Sequence, residues 1–312
     1  MDAELPPVPP RPDLGRETAP PATWRHVEPG RMGVGTIVGA GFRLWAESWF
    51  RWGVIAFAFS GLTAILIAFV DPLTSTYGAD YWFGERPFYT PDPNPLAVVI
   101  SLVGGLFLGP WEALVLTRAA LHSTVEEPLK TRATLGRTIR GVHSLLWIFV
   151  LLVLVVGVIG FLVGVFTTAA DPSADDALGG ILAIVLVGSL LWIVPRLATL
   201  SHVFVGADQR GTKAIGGAWR LSKGAWGTSA GTVLLAVLIG IAIAVIPSLI
   251  TSQMFTGAQV EDAVPRAIVQ SLTTALVTPL GTAIVTGLYL ELRARKGMLD
   301  QQAMQANLAR FD

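Results

Sequence analysis

The chain contains no cysteine and few charged residues. Without cysteine, its 312 residues can form no disulfide, no thiolate nucleophile and no Cys-ligated zinc or iron–sulfur site. Charged residues make up 14% of the chain, well below the roughly 25% of an ordinary globular domain. Lys plus Arg and Asp plus Glu both total 22, so the net charge of zero provides no general attraction to nucleic acid.

Residue patterns for soluble catalysis are also missing. The four histidines, His26, His122, His143 and His202, form no pair at metal-ligand spacing, and no glycine-rich phosphate loop joins a strand to a helix. We therefore predict no enzymatic activity, no metal and no cofactor.

Apolar residues, in contrast, are abundant. They make up 52% of the chain, and the mean hydropathy is +0.60, which is typical of a chain that buries its surface in lipid. Six segments are long and apolar enough to cross a bilayer core of about 30 Å. These spans lie near residues 52–70, 96–118, 144–167, 177–200, 229–251 and 267–290. The sequence predicts an all-α, polytopic bundle of six transmembrane helices.

Basic residues indicate the orientation of these spans. With six spans, all 22 Lys and Arg residues except Arg86 and Arg266 fall on one side, which the positive-inside rule assigns to the cytoplasm. We predict a multi-pass protein of the cell membrane with both termini cytoplasmic. Residues 1–30 are rich in proline and lack an apolar signal-peptide core, so they are predicted to form a disordered cytoplasmic arm. Residues 31–300 are the membrane domain, and 301–312 are a short cytoplasmic tail.

An amphipathic pattern occurs three times, each time before an odd-numbered span. Residues at steps of four, three and four form one stripe on a helix. The stripes are Val38, Phe42, Trp45 and Trp49, then Leu135, Ile139, Val142 and Leu146, and then Ile215, Trp219, Ser222 and Trp226. An arginine follows the second residue of each stripe: Arg43, Arg140 and Arg220. We predict three amphipathic helices lying in the inner interface of the membrane.

The third of these helices carries two further cations. Lys213 and Lys223 are seven and three residues from Arg220 and so share its face. Each cation near the surface contributes about 1 kcal/mol toward anionic lipid. Arg43, Arg140 and these three residues are therefore candidates for contact with anionic inner-leaflet lipids, although the same pattern also suits helices that only brace the bundle.

Few polar groups lie within the predicted spans. Glu112 is the one clearly intramembrane charge, and it follows Pro110, which frees a backbone carbonyl. It is interpreted either as a proton or cation site, or as a structural carboxylate that reaches the nearby inner interface. Thr278 and Thr282 flank Pro279 in the sixth span; they suit a polar site at a kinked helix, as in transporters, or a simple packing kink.

The end of the last span carries an exit motif. From Thr278 to Asp300 the chain reads TPLGTAIVTGLYLELRARKGMLD. The motif consists of Tyr289, Glu291, Arg293, Arg295, Gly297 and Asp300. It resembles the last helix of the glycerophosphoryl diester phosphodiesterase membrane-domain family. The segments GTIVGAGFRLWAESWFRWG near the start and AIGGAWRLSKGAWGTSAGTVLL from Ala214 are similar to that family's opening amphipathic helix and its entry to the fifth span, so the resemblance covers about residues 31–300. The resemblance implies a polytopic membrane domain without phosphodiesterase activity, because that activity belongs to a separate soluble barrel for which this chain has no room. The motif itself suits either an anchor that stops the helix or a docking surface for a cytoplasmic protein.

Together these features predict a non-enzymatic integral membrane protein that organises lipid or partner proteins at the inner leaflet. The alternative is a transporter or channel-like protein with a site at the kinked helices near Glu112 and Pro279. A water-filled cavity lined by Glu112 and Thr278 would favour transport.

Overall fold

The computed structural model describes residues 32–71, 94–125, 191–254 and 262–309, with isolated positions at 30, 188 and 189 and between 135 and 146. All regular structure in these residues is helical. The helices are α1 (Val34–Ala56), α2 (Leu62–Val70), α3 (Pro95–Val103), α4 (Gly109–Thr124), α5 (Leu200–Gly206), α6 (Thr212–Ser222), α7 (Trp226–Met254), α8 (Ala263–Arg295) and α9 (Gln301–Ala309). Two π-helical turns, Phe57–Gly61 and Gly104–Leu108, join α1 to α2 and α3 to α4 without a break.

Four helices are long and apolar enough to cross a membrane: Val34–Val70, Pro95–Thr124, Trp226–Thr251 and Ala263–Arg295. They contain the predicted first, second, fifth and sixth spans, so the all-α class and an apolar helical bundle are confirmed. The predicted third span and most of the fourth lie outside the described residues. The described end of the fourth belongs to a shorter apolar helix, Leu191–Gly206, whose last part is α5.

The prediction that the first amphipathic segment forms a helix separate from the first span is wrong. α1 continues through the first π-helical turn into α2, so the amphipathic segment and the span form one helix of 37 residues. The stripe residues Val38, Phe42 and Trp45 pack against α7 and α8, so protein covers this part of the stripe, whereas Trp49 is exposed. Arg43 is exposed on the same helix.

The third amphipathic segment is a separate helix, as predicted. α6 ends at Ser222, and a turn in which Gly224 has a φ of 83° precedes α7. Glycine favours this left-handed backbone conformation because it has no Cβ. Trp226 therefore begins the span and does not belong to the α6 stripe. The second segment is helical at its described positions, and Arg140 is not among them.

Hydrogen bonds bring the start of α1, the start of α7 and the end of α8 to one end of the bundle. The backbone amides of Gly30 and Met32, just before α1, donate to the carboxylate of Glu291 in α8. Lys296, just after α8, donates from Nζ to the carbonyl of Lys223, just before α7, over 2.9 Å. We call this the basic end of the bundle.

The predicted tail forms α9, which packs on the basic end. Met304 and Leu308 are fully buried. Arg118 of α4 donates from Nη2 to the carbonyl of Leu308 over 3.1 Å, and the Asn307 side chain donates to the carbonyl of Gly206 over 3.1 Å. Residues 301–309 are thus part of the folded bundle, and the second half of α4 also reaches its basic end.

α8 is the central helix and contacts α1, α2, α4 and α7. α1 and α8 approach closely because two glycines face the neighbouring helix. A Cβ at Gly41 would lie 2.6 Å from Cα of Ile284, and one at Gly287 would lie 3.3 Å from the carbonyl oxygen of Ile37. Close backbone approach at small residues is a main source of helix association in lipid.

Gly41→Ala is expected to lower the free energy of unfolding by about 1–3 kcal/mol, because the methyl group must push the α8 backbone away. Gly39→Ala is the matched control, since a Cβ at Gly39 meets nothing within 4 Å and alanine favours the helix. The measurement is the thermal unfolding of the purified variants, followed by tryptophan fluorescence. Equal melting temperatures for the two variants would contradict the packing described.

Candidate functional site

The exit motif contains a buried ion pair. Glu291 is fully buried and its Oε1 lies 2.6 Å from Nε of Arg295, one helical turn later. The backbone amides of Gly30 and Met32 donate to the same carboxylate over 2.6 and 3.2 Å. Arg295 also donates to the carbonyl of Met32 and to the Thr228 hydroxyl, over 3.0 and 3.1 Å. The pair therefore fastens the start of α1 and the start of α7 to α8.

The next residues of the motif end the helix. Gly297 has a φ of 63°. Its amide donates to the carbonyl of Ala294, and the amide of Met298 donates to the carbonyl of Arg293, both over 2.9 Å. This is a Schellman motif, which satisfies the last carbonyls of α8. Arg293 holds the turn through the carbonyl of Met298 and the Tyr289 hydroxyl, which lie 2.6 and 3.0 Å from its guanidinium.

Asp300 begins the following helix. Its Oδ1 accepts the amide of Ala303 over 3.0 Å, which is the usual arrangement of an N-terminal helix cap. The hydrogen bonds of Glu291, Arg293, Arg295, Gly297 and Asp300 thus stop α8, start α9 or join α1 and α7 to α8, and the Tyr289 ring packs on His202. These contacts favour the anchor interpretation of the motif over the docking interpretation.

A chain of hydrogen-bonded polar side chains connects α4, the Leu191–Gly206 helix and α8 in the interior of the bundle. The Thr117 hydroxyl donates to Ser201 over 3.0 Å, and Ser201 Oγ lies 3.3 Å from His202 Nδ1. His202 Nε2 lies 2.8 Å from the Thr286 hydroxyl, which donates to the carbonyl of Thr282 over 2.9 Å. Because Thr286 donates onward, it accepts from Nε2 and leaves Nδ1 to accept from Ser201. Every member is paired, so the His202 network is a structural link between three helices.

The residues that were predicted to share an intramembrane site have different hydrogen-bond partners. The carbonyl of Thr282 belongs to the His202 network, and its hydroxyl donates to the carbonyl of Thr278 in the same helix over 3.0 Å. Glu112 instead contacts Ser60. Sequence reasoning missed Thr286, although it continues the four-residue spacing of Thr278 and Thr282 on one face of α8.

Glu112 is buried by protein and does not reach the interface. Its side chain is 2% exposed, and the Ser60 hydroxyl, in the first π-helical turn, donates to Oε2. The neighbouring Trp111 ring contacts the rings of Phe59 and Phe107 edge to face, with centroids 5.0 and 5.9 Å apart. The prediction that this carboxylate extends to the inner headgroups is therefore wrong, because neighbouring helices enclose it.

The cations of α6 are exposed at the basic end. Lys213 and Arg220 are exposed on the helix, and Lys223 is exposed just after its end. The buried face of α6 consists of small and apolar residues, including Ala214, Ala218 and Leu221. We call Lys213, Arg220 and Lys223 the α6 basic face.

An aromatic stack lies beside α6. The Arg196 guanidinium lies 4.2 Å from the ring centroid of Trp192 and 4.4 Å from that of Trp219 on α6. The two rings meet edge to face with centroids 5.0 Å apart. Cation–π contacts of this kind favour a guanidinium held flat on indole rings. Sequence reasoning placed Arg196 near the end of a span but missed its two aromatic partners, because Trp219 is 23 residues away.

Comparison with family models, with curated proteins and with solved structures finds no match to this chain. Among the residues that the structure describes, no group of three or more His, Asp or Glu side chains could hold a metal ion. The family resemblance stays a prediction.

Proposed function

We propose that this chain is a non-enzymatic membrane protein that organises anionic lipid at the inner leaflet of the cell membrane. The observation that carries the proposal is the α6 basic face, whose cations are exposed while the opposite face of the helix packs on the bundle. α7, an apolar helix long enough to span, begins at Trp226, directly after Lys223. A helix in this position has lipid headgroups as its natural neighbours.

The aromatic stack supports the same proposal. Indole rings prefer the interface between headgroups and acyl chains, and Trp192 is 47% exposed. The Arg196 guanidinium lies against the rings of both Trp192 and Trp219, and a guanidinium binds phosphate oxygens in a bidentate manner. The stack therefore supplies one oriented phosphate ligand next to the three exposed cations of the α6 basic face.

The proposal is tested with the purified protein alone in proteoliposomes that contain trace spin-labelled lipids. We expect the protein to restrict the motion of spin-labelled phosphatidylglycerol more strongly than that of spin-labelled phosphatidylcholine. The preference should weaken as salt rises, because exposed charges are screened. Equal restriction of the two lipids at low salt would reject lipid organisation and leave a cytoplasmic protein as the candidate partner.

We also propose six spans, with the basic end in the cytoplasm. The second half of α4 and α6 both lie at the basic end, so a chain that leaves this end after α4 must return to it before α6. The apolar runs at 144–167 and 177–200 suit one outward and one return crossing. We also propose, from the resemblance of the exit motif, that the chain belongs to the glycerophosphoryl diester phosphodiesterase membrane-domain family.

Both termini are expected to be cytoplasmic, because nearly all Lys and Arg residues then lie on the side that retains positive charge. Fusions of a fluorescent protein that matures only in the cytoplasm should be bright at either end. A fusion placed in the predicted outer connection, between residues 72 and 93, is the control that should be dark. A dark C-terminal fusion on an inserted protein would mean an odd number of spans.

The transporter alternative has less support than lipid organisation. Glu112 and the Thr278–Thr282 segment, which were predicted to share a site, belong to separate hydrogen-bonded groups.

A further inference from the structure

Glu112 lies where two π-helical turns meet. In the first turn the amide of Leu62 donates to the carbonyl of Phe57, and in the second the amide of Gly109 donates to that of Gly104. The two turns are in contact, and a Cβ at Gly104 in the second turn would collide with the methyl group of Thr63, at the start of α2. π-helical turns are rare, and those inside α-helices occur frequently at functional sites. Because two such turns are in contact here, this position is a candidate functional site.

Only one of the two oxygens of the Glu112 carboxylate has a hydrogen-bond partner. Ser60 donates to Oε2, but Oε1 is fully buried and has no hydrogen-bond partner. No cation is paired with Glu112 in the part of the chain that the structure describes. A buried carboxylate without a partner is very costly as an isolated charge, so one positive charge must accompany it.

We propose that Glu112 and Ser60 form a binding site for one exchangeable monovalent cation, either a proton or Na⁺. Oε1 of Glu112 supplies the vacant acceptor, and the Ser60 hydroxyl is the second oxygen. Pro110, two residues earlier, has no amide hydrogen and so donates no hydrogen bond within the helix. The rings of Phe59 and Trp111, the residues that precede Ser60 and Glu112 in the chain, lie against each other.

His202 and Glu291, in contrast, have partners for their buried polar atoms and suggest no such site. The His202 network is paired throughout, and the Glu291 carboxylate has Arg295 and two amides. The proposal is independent of lipid organisation, because Glu112 is enclosed by helices and is not part of the α6 basic face. Glu112→Gln should therefore leave the preference for anionic lipid unchanged.

Infrared difference spectroscopy of the full chain in proteoliposomes tests the proposal. A protonated carboxyl has a carbonyl stretch that the ionised carboxylate lacks, and the Glu112 band is identified as the one absent from Glu112→Gln. Loss of this band as pH rises, whether Na⁺ or choline is the buffer cation, would show a proton site. Loss of the band when Na⁺ replaces choline at constant pH would show a Na⁺ site.

Two outcomes would overturn the proposal. One is a Glu112 band that responds neither to pH nor to Na⁺, which would mean a permanently neutral structural carboxyl. The other is the absence of any Glu112-dependent band under all conditions. Ser60→Ala keeps the carboxyl and should shift the pH or Na⁺ concentration at which the band disappears, so the test does not depend on Glu112→Gln folding. Glu47→Gln, at an exposed position on α1, should leave the band unchanged.

Discussion

Arg295→Met is expected to lower the free energy of unfolding by about 3 kcal/mol. The substitution leaves the Glu291 carboxylate buried with only two backbone amides, and an uncompensated buried charge typically costs about 3–5 kcal/mol. The low end applies because the Arg295 side chain is 34% exposed and water already screens part of the interaction. Unfolding of the purified protein in mixed micelles, followed by circular dichroism, measures the effect.

Two further variants separate charge from packing at this ion pair. Arg210→Met removes an exposed cation 3.6 Å from Asp208 and should cost no more than about 1 kcal/mol. Glu291→Gln combined with Arg295→Met should be more stable than Arg295→Met alone, because it removes the stranded charge. If Arg295→Met is as stable as Arg210→Met, the buried pair does not fasten α1 and α7 to α8.

The second large effect is expected in the preference of the protein for anionic lipid. Replacing Lys213, Arg220 and Lys223 together by Gln is expected to weaken the preference for anionic lipid by up to about 3 kcal/mol, since each cation near the surface contributes about 1 kcal/mol. The measurement is the spin-labelled lipid preference in proteoliposomes. Arg210→Gln is the control, because Asp208 already neutralises that cation, and it should change the preference little. An unchanged preference in the triple variant would limit these cations to a role in topology.

The apolar runs and the fold class could be predicted because both depend on local composition. Whether the first amphipathic helix ends before the first span could not be predicted. Trp49, Arg51 and Trp52 continue a helical pattern with no breaker, and the following Gly53 is accommodated within α1. At the third segment, Gly224 adopts a positive φ and separates α6 from α7. The two glycines look alike in sequence, and only the surrounding packing decides which of them ends a helix.

The contacts of the site residues could also be predicted only where they are local in sequence. The pairing of Glu291 with Arg295 could be predicted, because an acid four residues before a base is favoured on a helix. Its amide partners at Gly30 and Met32 are about 260 positions away, and no local pattern indicates them. The burial of Glu112 was missed for the same reason, since its depth depends on the Ser60 helix and not on its own distance from Arg118.

The most direct test of lipid organisation is photo-crosslinking with an anionic lipid that carries its reactive group on the headgroup. The probe is added to the full-length protein in nanodiscs, and the adducts are mapped by mass spectrometry. The proposal predicts adducts concentrated in peptides that contain residues 192–196 and 213–223, at a higher yield than with a matched zwitterionic probe. Adducts of equal yield for the two probes, or spread over the exposed apolar surface of α7, would contradict it.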